Sequence, residues 1–318
     1  MNILITGIHG FVGSNIALAL HEHRIYGLSN SSSKKEGYIQ TYSWYELDKV
    51  HQHHIDTIIH LAGKAHDTKN QSEYQSYFDI NTGLTQKIFD WFLQSDAEKF
   101  IFFSSVKAAA DTVQGILTED VIPAPKGPYG ESKLKAEEYI KTSLGKIENQ
   151  SNKQVYILRP CMIHGPGNKG NLNLLYNAVQ KGIPWPLGAF DNQRSFISID
   201  NVSYIIKQLL EQDIVSGIYN LADDETLSTT EVMQIMCHTL SRKCKIYRFN
   251  KNLIRHIALL GSMLHLPLNQ ERLKKLTENY IVSNEKIKKY LNIDRLPLSA
   301  KDGFIKTIRS FESGIITV

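Results

Sequence analysis

The chain predicts an α/β fold: a doubly wound parallel sheet with a smaller, mainly C-terminal α+β domain. Three observations lead there. Short β-rich apolar runs alternate with helical runs through the first half of the sequence. A glycine-rich turn, Thr6-Gly-Ile-His-Gly-Phe-Val-Gly13, joins the first strand to the first helix. After Gly165-Pro-Gly167 the alternation loosens and helical segments take over. Repeated strand–helix–strand succession is the pattern of a parallel sheet covered by helices on both faces.

The strand segments expected are Asn2–Thr6, Arg24–Leu28, Thr57–Leu61, Phe100–Ser104 and Val155–Arg159. They are apolar without polar alternation, as befits strands buried on both faces. The helical segments are Phe11–His21, Glu73–Leu93 and Tyr129–Ser143, then Thr229–Leu240, Leu253–Leu264 and Ser283–Leu291. This layout places a Rossmann-type dinucleotide-binding domain at 1–165, with a returning segment near 196–222, and a substrate-binding domain at 166–318. Ligands of such sheets lie beyond the carboxyl ends of the strands, so the cleft between the domains is the expected site.

Composition narrows the partners. The 318 residues carry a net charge of +4, read as dispersed, which gives no nucleic-acid footprint; that would need a clustered basic face. Cys161, Cys237 and Cys244 have neither metal-ligand nor disulfide spacing, which suits a reducing cytoplasm. The chain opens directly on a strand pattern, so no signal peptide is expected. The stretch Leu253–Leu268 is broken by Arg255, His256 and Gly261 and falls short of the roughly 20 apolar residues of a membrane span. It reads as a core or interface helix, and no membrane partner is expected. His51, His53 and His54 lack a partnered Cys or carboxylate pattern; they read as solvated, and no metal is expected.

The chemistry resides in two motifs. Gly7, Gly10 and Gly13 let the backbone bend, approach a pyrophosphate and pack the helix on the strand, with the N–H groups of Phe11, Val12 and Gly13 facing the phosphates. Leu61, Ala62 and Gly63 form a small-residue loop able to lie flat against a cofactor. In Tyr129-Gly-Glu-Ser-Lys133 a spacing of four puts phenol and ammonium on one helix face. A phenol titrates near pH 10, so a Tyr base working near neutrality requires on the order of 4 kcal/mol of differential stabilisation. A neighbouring ammonium is one source.

On Thr6–Gly13, His60-Leu-Ala-Gly63, Asn81, Phe103-Ser-Ser105, Tyr129–Lys133 and Leu158-Arg-Pro160 with Gly165-Pro166, the sequence resembles the extended short-chain dehydrogenase/reductase family, in its nucleotide-sugar epimerase/dehydratase branch. The resemblance implies Tyr129 as catalytic acid/base, Lys133 as its electrostatic partner and Ser105 as anchor of the reacting oxygen, with Ser104 as the fallback. It implies cofactor contacts at Asn81 and Pro160, and substrate contacts at Ser105, Tyr129, Asn171, Leu172, Leu187, Arg194 and Arg272. Val106 and Lys107 stand where family dehydratases carry an acidic pair, so dehydration is not expected. Ser29 and Asn30 stand where NAD-dependent members carry a ribose-binding acid. With Lys34 and Lys35 close behind, the cofactor is read as NAD or NADP. The substrate implied is a nucleoside-diphosphate sugar, UDP-hexose in particular. Reversible hydride transfer at its C4 follows, by a 4-epimerase or by a 4-ketoreductase. A non-catalytic dinucleotide sensor is the remote alternative, and a homodimer through the Asn81 and Tyr129 helices is the implied assembly.

Overall fold

A computed structural model describes residues 1–30, 40–64, 73–146, 152–168, 171–264, 266 and 268–312. Seven strands form the main sheet: β1 (Asn2–Thr6), β2 (Arg24–Ser29), β3 (Gln40–Ser43), β4 (Thr57–His60), β5 (Lys99–Phe103), β6 (Gln154–Pro160) and β7 (Gly217–Leu221). Their spatial order is β7-β6-β5-β4-β1-β2-β3, with every pair parallel. Thr6 is in register with both Leu28 and His60, so the carboxyl ends of β1, β2 and β4 lie level. Strand order reverses between β1 and β4, and the crevice outside that switch point is where such sheets hold ligands.

Adjacent residues of β1 explain the missing polar alternation. Ile3 and Ile5 join one apolar cluster with Ile16 and Leu20, whereas Leu4 joins the opposite one with Ile58 and Phe100. All three are fully buried, each contributing roughly 1.5–3 kcal/mol. Helices α1 (Phe11–Ala19) and α4 (Ile199–Glu211) cover the first face. Helices α2 (Leu84–Gln94) and α3 (Pro128–Leu144) cover the second. A third cluster, centred on Met236, Phe304 and Ile308, forms the core of the C-terminal part. It draws on α5 (Thr229–Thr239) and α6 (Lys251–Met263), beside α7 (Gln270–Thr277).

Three differences from the sequence reading have physical causes. β3 is an additional strand, short and polar (Gln-Thr-Tyr-Ser), because an edge strand needs no continuous apolar run. β7 comes from the returning segment and pairs with β6. The long helix expected from Glu73 is interrupted: Tyr74–Tyr77 leads into a π-helical turn, Phe78–Gly83, before α2 begins. Among the described residues no helix is long and apolar enough to cross a membrane.

Candidate active site

The glycine turn is constrained by close approach. Gly7 has φ +67°, and a Cβ there would lie 2.8 Å from the Ala62 nitrogen. A Cβ on Gly13 would lie 2.4 Å from the Gly7 carbonyl oxygen, the same oxygen that accepts from the Gly10 N–H at 2.9 Å. No side chain caps α1 at Gly10, so the first-turn N–H groups at Phe11, Val12 and Gly13 have no built-in capping acceptor. An uncapped helix start with a bare backbone fits a dinucleotide pyrophosphate. Asn15 donates to Phe11 O at 2.8 Å and to Pro166 O at 3.1 Å, tying α1 to the Gly165-Pro166 segment.

The loop after β4 is set by a buried chain of hydrogen bonds. Thr6 Oγ1 accepts from the N–H groups of Leu61 (3.1 Å) and Ala62 (3.0 Å) and donates to His60 Nδ1 at 2.6 Å. His60 Nε2 then donates to Thr85 Oγ1 at 2.9 Å, whose own proton goes to Asn81 O at 2.6 Å. The network assigns the Nε2–H tautomer, and burial, then the Lys133 charge, hold this imidazole well below its usual pKa. Asn81 is fully buried in the π turn. Its Oδ1 accepts from Lys64 N at 2.7 Å and its Nδ2 donates to Ser132 Oγ at 2.9 Å, joining the loop to α3. A Cβ on Gly63 would meet Asn81 Oδ1 at 2.9 Å and Lys133 Nζ at 3.0 Å.

Tyr129 occupies the first turn of α3, which Pro128 begins. Ser105 follows β5, is 7% exposed and acts to lower the pKa of the Tyr129 phenol. Lys133, one turn on, is buried; its Nζ donates to Phe103 O at 2.8 Å and lies 5.0 Å from the Phe102 ring centroid. Burial brings its pKa down to about 8, against an opposing pull from Glu137. Tyr129 moves the other way. Burial pushes the phenol up, Ser105 pulls it down and Tyr77 adds to the rise. The lowering by Lys133 expected from sequence is not found: the causes acting on the phenol are burial, Ser105 and Tyr77, and desolvation prevails.

Behind these groups lies an unanticipated network. Arg159 and Glu137, both essentially fully buried, form a bidentate pair, Nε–Oε1 2.9 Å and Nη2–Oε2 2.5 Å, and Ser104 donates to Glu137 Oε1 at 2.5 Å. The signal was present: Glu137 continues the spacing Tyr129, Lys133 along one helix face, and Arg159 lies in the quoted Leu158-Arg-Pro160.

On the substrate side, Arg194 is half-buried, its backbone N and O pair with Leu227, and its guanidinium donates to Lys275 O. Burial lowers its pKa, while Glu278, Cys161 and Tyr280 oppose that shift. Lys107 Nζ donates to Asp111 O at 2.8 Å and lies 4.7 Å from the Tyr280 ring centroid. Arg272 is exposed on α7. Leu172 and Leu187 lie in the third apolar cluster, 1% and 2% exposed, so their side chains belong to that core. Asn171 opens the helix Asn171–Gln180. Ser29 is half-buried and Asn30 exposed at the carboxyl end of β2, where Gly7 N donates to Leu28 O at 2.9 Å. Pro160, buried, ends β6 opposite Leu221. Lys34 and Lys35 lie outside the described residues. His51 and His54 are exposed and His53 is half-buried; His53 stacks on Tyr26 at 4.3 Å and His51 packs on Trp91 at 4.5 Å between ring centroids. Among the described residues no group of three His, Cys, Asp or Glu side chains is placed to hold a metal.

The profile of the NAD-dependent epimerase/dehydratase family matches residues 3–222. This chain belongs to that family. A UDP-glucose 4-epimerase of Vibrio cholerae is 30% identical over 258 residues, covering 76% of each chain. An N-acetyl-α-D-glucosaminyl-diphospho-ditrans,octacis-undecaprenol 4-epimerase of Escherichia coli O157:H7 is 26% identical over 297 residues, covering 91% of this chain and 85% of that one. Among solved structures, MoeE5 in complex with UDP-glucuronic acid and NAD superimposes with a TM-score of 0.77 at 18% identity, over 99% of this chain and 100% of that one. That likeness supports the epimerase/dehydratase fold across the whole length.

Proposed function

We propose that this member of the family is an NAD-dependent enzyme transferring hydride at C4 of a nucleoside-diphosphate hexose, as a 4-epimerase most like those acting on UDP-hexoses. The supporting observation is the assembly of Ser105, Tyr129 and Lys133 beside the bare Gly63 loop at the carboxyl edge of the sheet. The 30% identity to a UDP-glucose 4-epimerase supports the substrate. On this reading 1–165, with the return at 196–222, is the cofactor half and 166–318 the substrate half.

Gly7, Gly10, Gly13, Phe11 and Val12 would hold the pyrophosphate, Ser29 and Asn30 the ribose, and Leu61–Gly63, Asn81, Lys133 and Pro160 the remainder of the cofactor. Bound NAD supplies the hydride acceptor and donor. Tyr129 takes the proton from the sugar hydroxyl and returns it, Ser105 holds the reacting oxygen, and Lys133 favours the phenolate electrostatically. Arg194, with Arg272, holds the diphosphate through charge-assisted hydrogen bonds. Asn171 borders the nucleotide, with Leu172 and Leu187 beside it only through their backbone, since their side chains lie in the core.

Tyr129→Phe tests the assignment. Turnover is expected to fall by about 10²–10⁴-fold with NAD affinity retained; near-normal turnover would remove Tyr129 from the chemistry. A second reading, 4-ketoreductase, is favoured by the absence of a carboxylate at Ser29-Asn30. NAD released in stoichiometric amount on denaturing purified protein supports the epimerase, and its absence supports the reductase. A homodimer through α2 and α3 belongs to the same reading, and light scattering on the purified protein measures it.

A further inference from the structure

The charge of this chain is not evenly spread. Between residues 242 and 275 there are nine Lys or Arg and one acid, Glu271, a local +8 in a chain of total +4, so the rest is net −4. The same segment carries a continuous exposed apolar face. α6 packs inward through Ile254, Ala258 and Gly261; at Gly261 a Cβ would stand 1.9 Å from Leu268 O, so the helix lies directly on that turn. On its outer side Leu253, Ile257, Leu260 and Leu264 recur at i, i+4, i+7 and i+11, all exposed, with Leu264 at 67% and neighbouring Met263 at 71%. Tyr247 and Phe249, also exposed, pair at 5.8 Å just before the helix. Lys243, Lys245 and Arg248 are exposed in the lead-in, and Lys251 and Arg255, two residues either side of Leu253, are exposed on the polar side of the helix away from the stripe.

We propose that α6 and its lead-in dock the protein on the surface of an anionic lipid bilayer, without spanning it. An apolar stripe with basic side chains on the other face and aromatic rings at its start is the composition of a helix lying in the headgroup plane, and clustered Lys and Arg are drawn to acidic lipid. Charge separates this occupant from a second copy, because a self-interface would bring +8 against +8. The surface adjoins the substrate side: α6 leads through the Leu268 turn to α7, whose Lys275 carbonyl receives the Arg194 guanidinium. A docked protein therefore keeps that side near the bilayer. The inference is independent of the catalytic reading.

Sedimentation of the full chain with sucrose-loaded vesicles tests it, using phosphatidylcholine alone against an equal mixture with phosphatidylglycerol. Partition is expected to be at least ~10-fold higher on the acidic vesicles and to weaken as salt rises. Leu253→Ser, Ile257→Ser, Leu260→Ser and Leu264→Ser together should lower it ~10-fold, with turnover on soluble nucleotide sugar unchanged. Lys243→Glu, Lys245→Glu and Arg255→Glu together should remove the preference for acidic lipid. Wild-type protein left in the supernatant overturns the proposal, as does a serine variant that sediments like wild type. A vesicle-indifferent wild-type oligomer that the serine variant converts to monomer overturns it in favour of a self-interface.

Discussion

Lys133→Met is expected to stabilise the protein near neutrality while ending turnover. In the folded chain burial brings the Lys133 ammonium to a pKa of about 8; in the unfolded chain it titrates near 10.4. Below pH 8 both states are protonated, and the folded state carries a desolvated charge at a cost of about 3 kcal/mol. As pH rises past 8 the folded state sheds that proton first, and the cost shrinks to about 1 kcal/mol near pH 9.5. Stability due to this group therefore rises with pH, the sign for a base whose folded pKa is depressed. Met keeps the length and removes the charge. It also loses the bond to Phe103 O, 2.8 Å long, at about 1 kcal/mol, leaving a net gain of about 2 kcal/mol at neutrality. Urea unfolding of both proteins at neutral and alkaline pH measures the gap, with NAD-linked turnover assayed alongside. A variant less stable than wild type at neutrality, or a gap that does not narrow on alkalisation, would refute the claim that Lys133 holds a desolvated charge.

Glu137→Gln should cost about 3–5 kcal/mol in urea unfolding, because it leaves the buried Arg159 without its counter-charge; adding Arg159→Met should recover part of that loss, and a fully additive double variant would argue against the pair. Gly13→Ala places a methyl group 2.4 Å from the Gly7 carbonyl, so NAD affinity by calorimetry should weaken by ~10-fold, about 1.4 kcal/mol, with helical content unchanged; an unaltered Kd would dismiss the cradle. Arg194→Ala should raise KM about 10-fold with kcat nearly constant, the signature of lost uniform binding, whereas a fall confined to kcat would place Arg194 in the chemistry.

The parallel sheet was legible because β1, β4, β5 and β6 are apolar on both faces, and no other element imposes that pattern. β3 was not, since an edge strand can be polar. Tyr129, Lys133 and Ser105 could be singled out as candidates because their types and local spacing suggest the proposed chemistry. The Thr6–His60–Thr85 chain and the Arg159–Glu137–Ser104 network were not: their members stand 22 to 54 residues apart in sequence, and strand register together with the packing of α2 and α3 on the sheet brings them together. The α6 stretch, read as a core or interface helix, packs Ile254 and Ala258 into the core and leaves its leucines exposed. An apolar run has the same composition whether it is buried or not, and only the placement of Ile254, Ala258 and Gly261 inward leaves its leucines outside.

Local motifs and long-range networks thus divide the work of this crevice. Burial raises the Tyr129 phenol and lowers the Lys133 ammonium, so both groups lean toward neutrality. The same low dielectric that disfavours an isolated charge strengthens any pair of charges brought together inside it. On the proposed reading of Tyr129 as the acid/base group, a site built this way favours the protonated phenol and makes the phenolate accessible once a complementary charge enters the crevice. The Arg159–Glu137 pair serves a separate end: already neutralised, it fixes Ser104 and the face of α3 that presents Tyr129 and Lys133 without adding net charge to their surroundings. Rigidity therefore comes from a compensated ion pair, while reactivity comes from groups left uncompensated beside it.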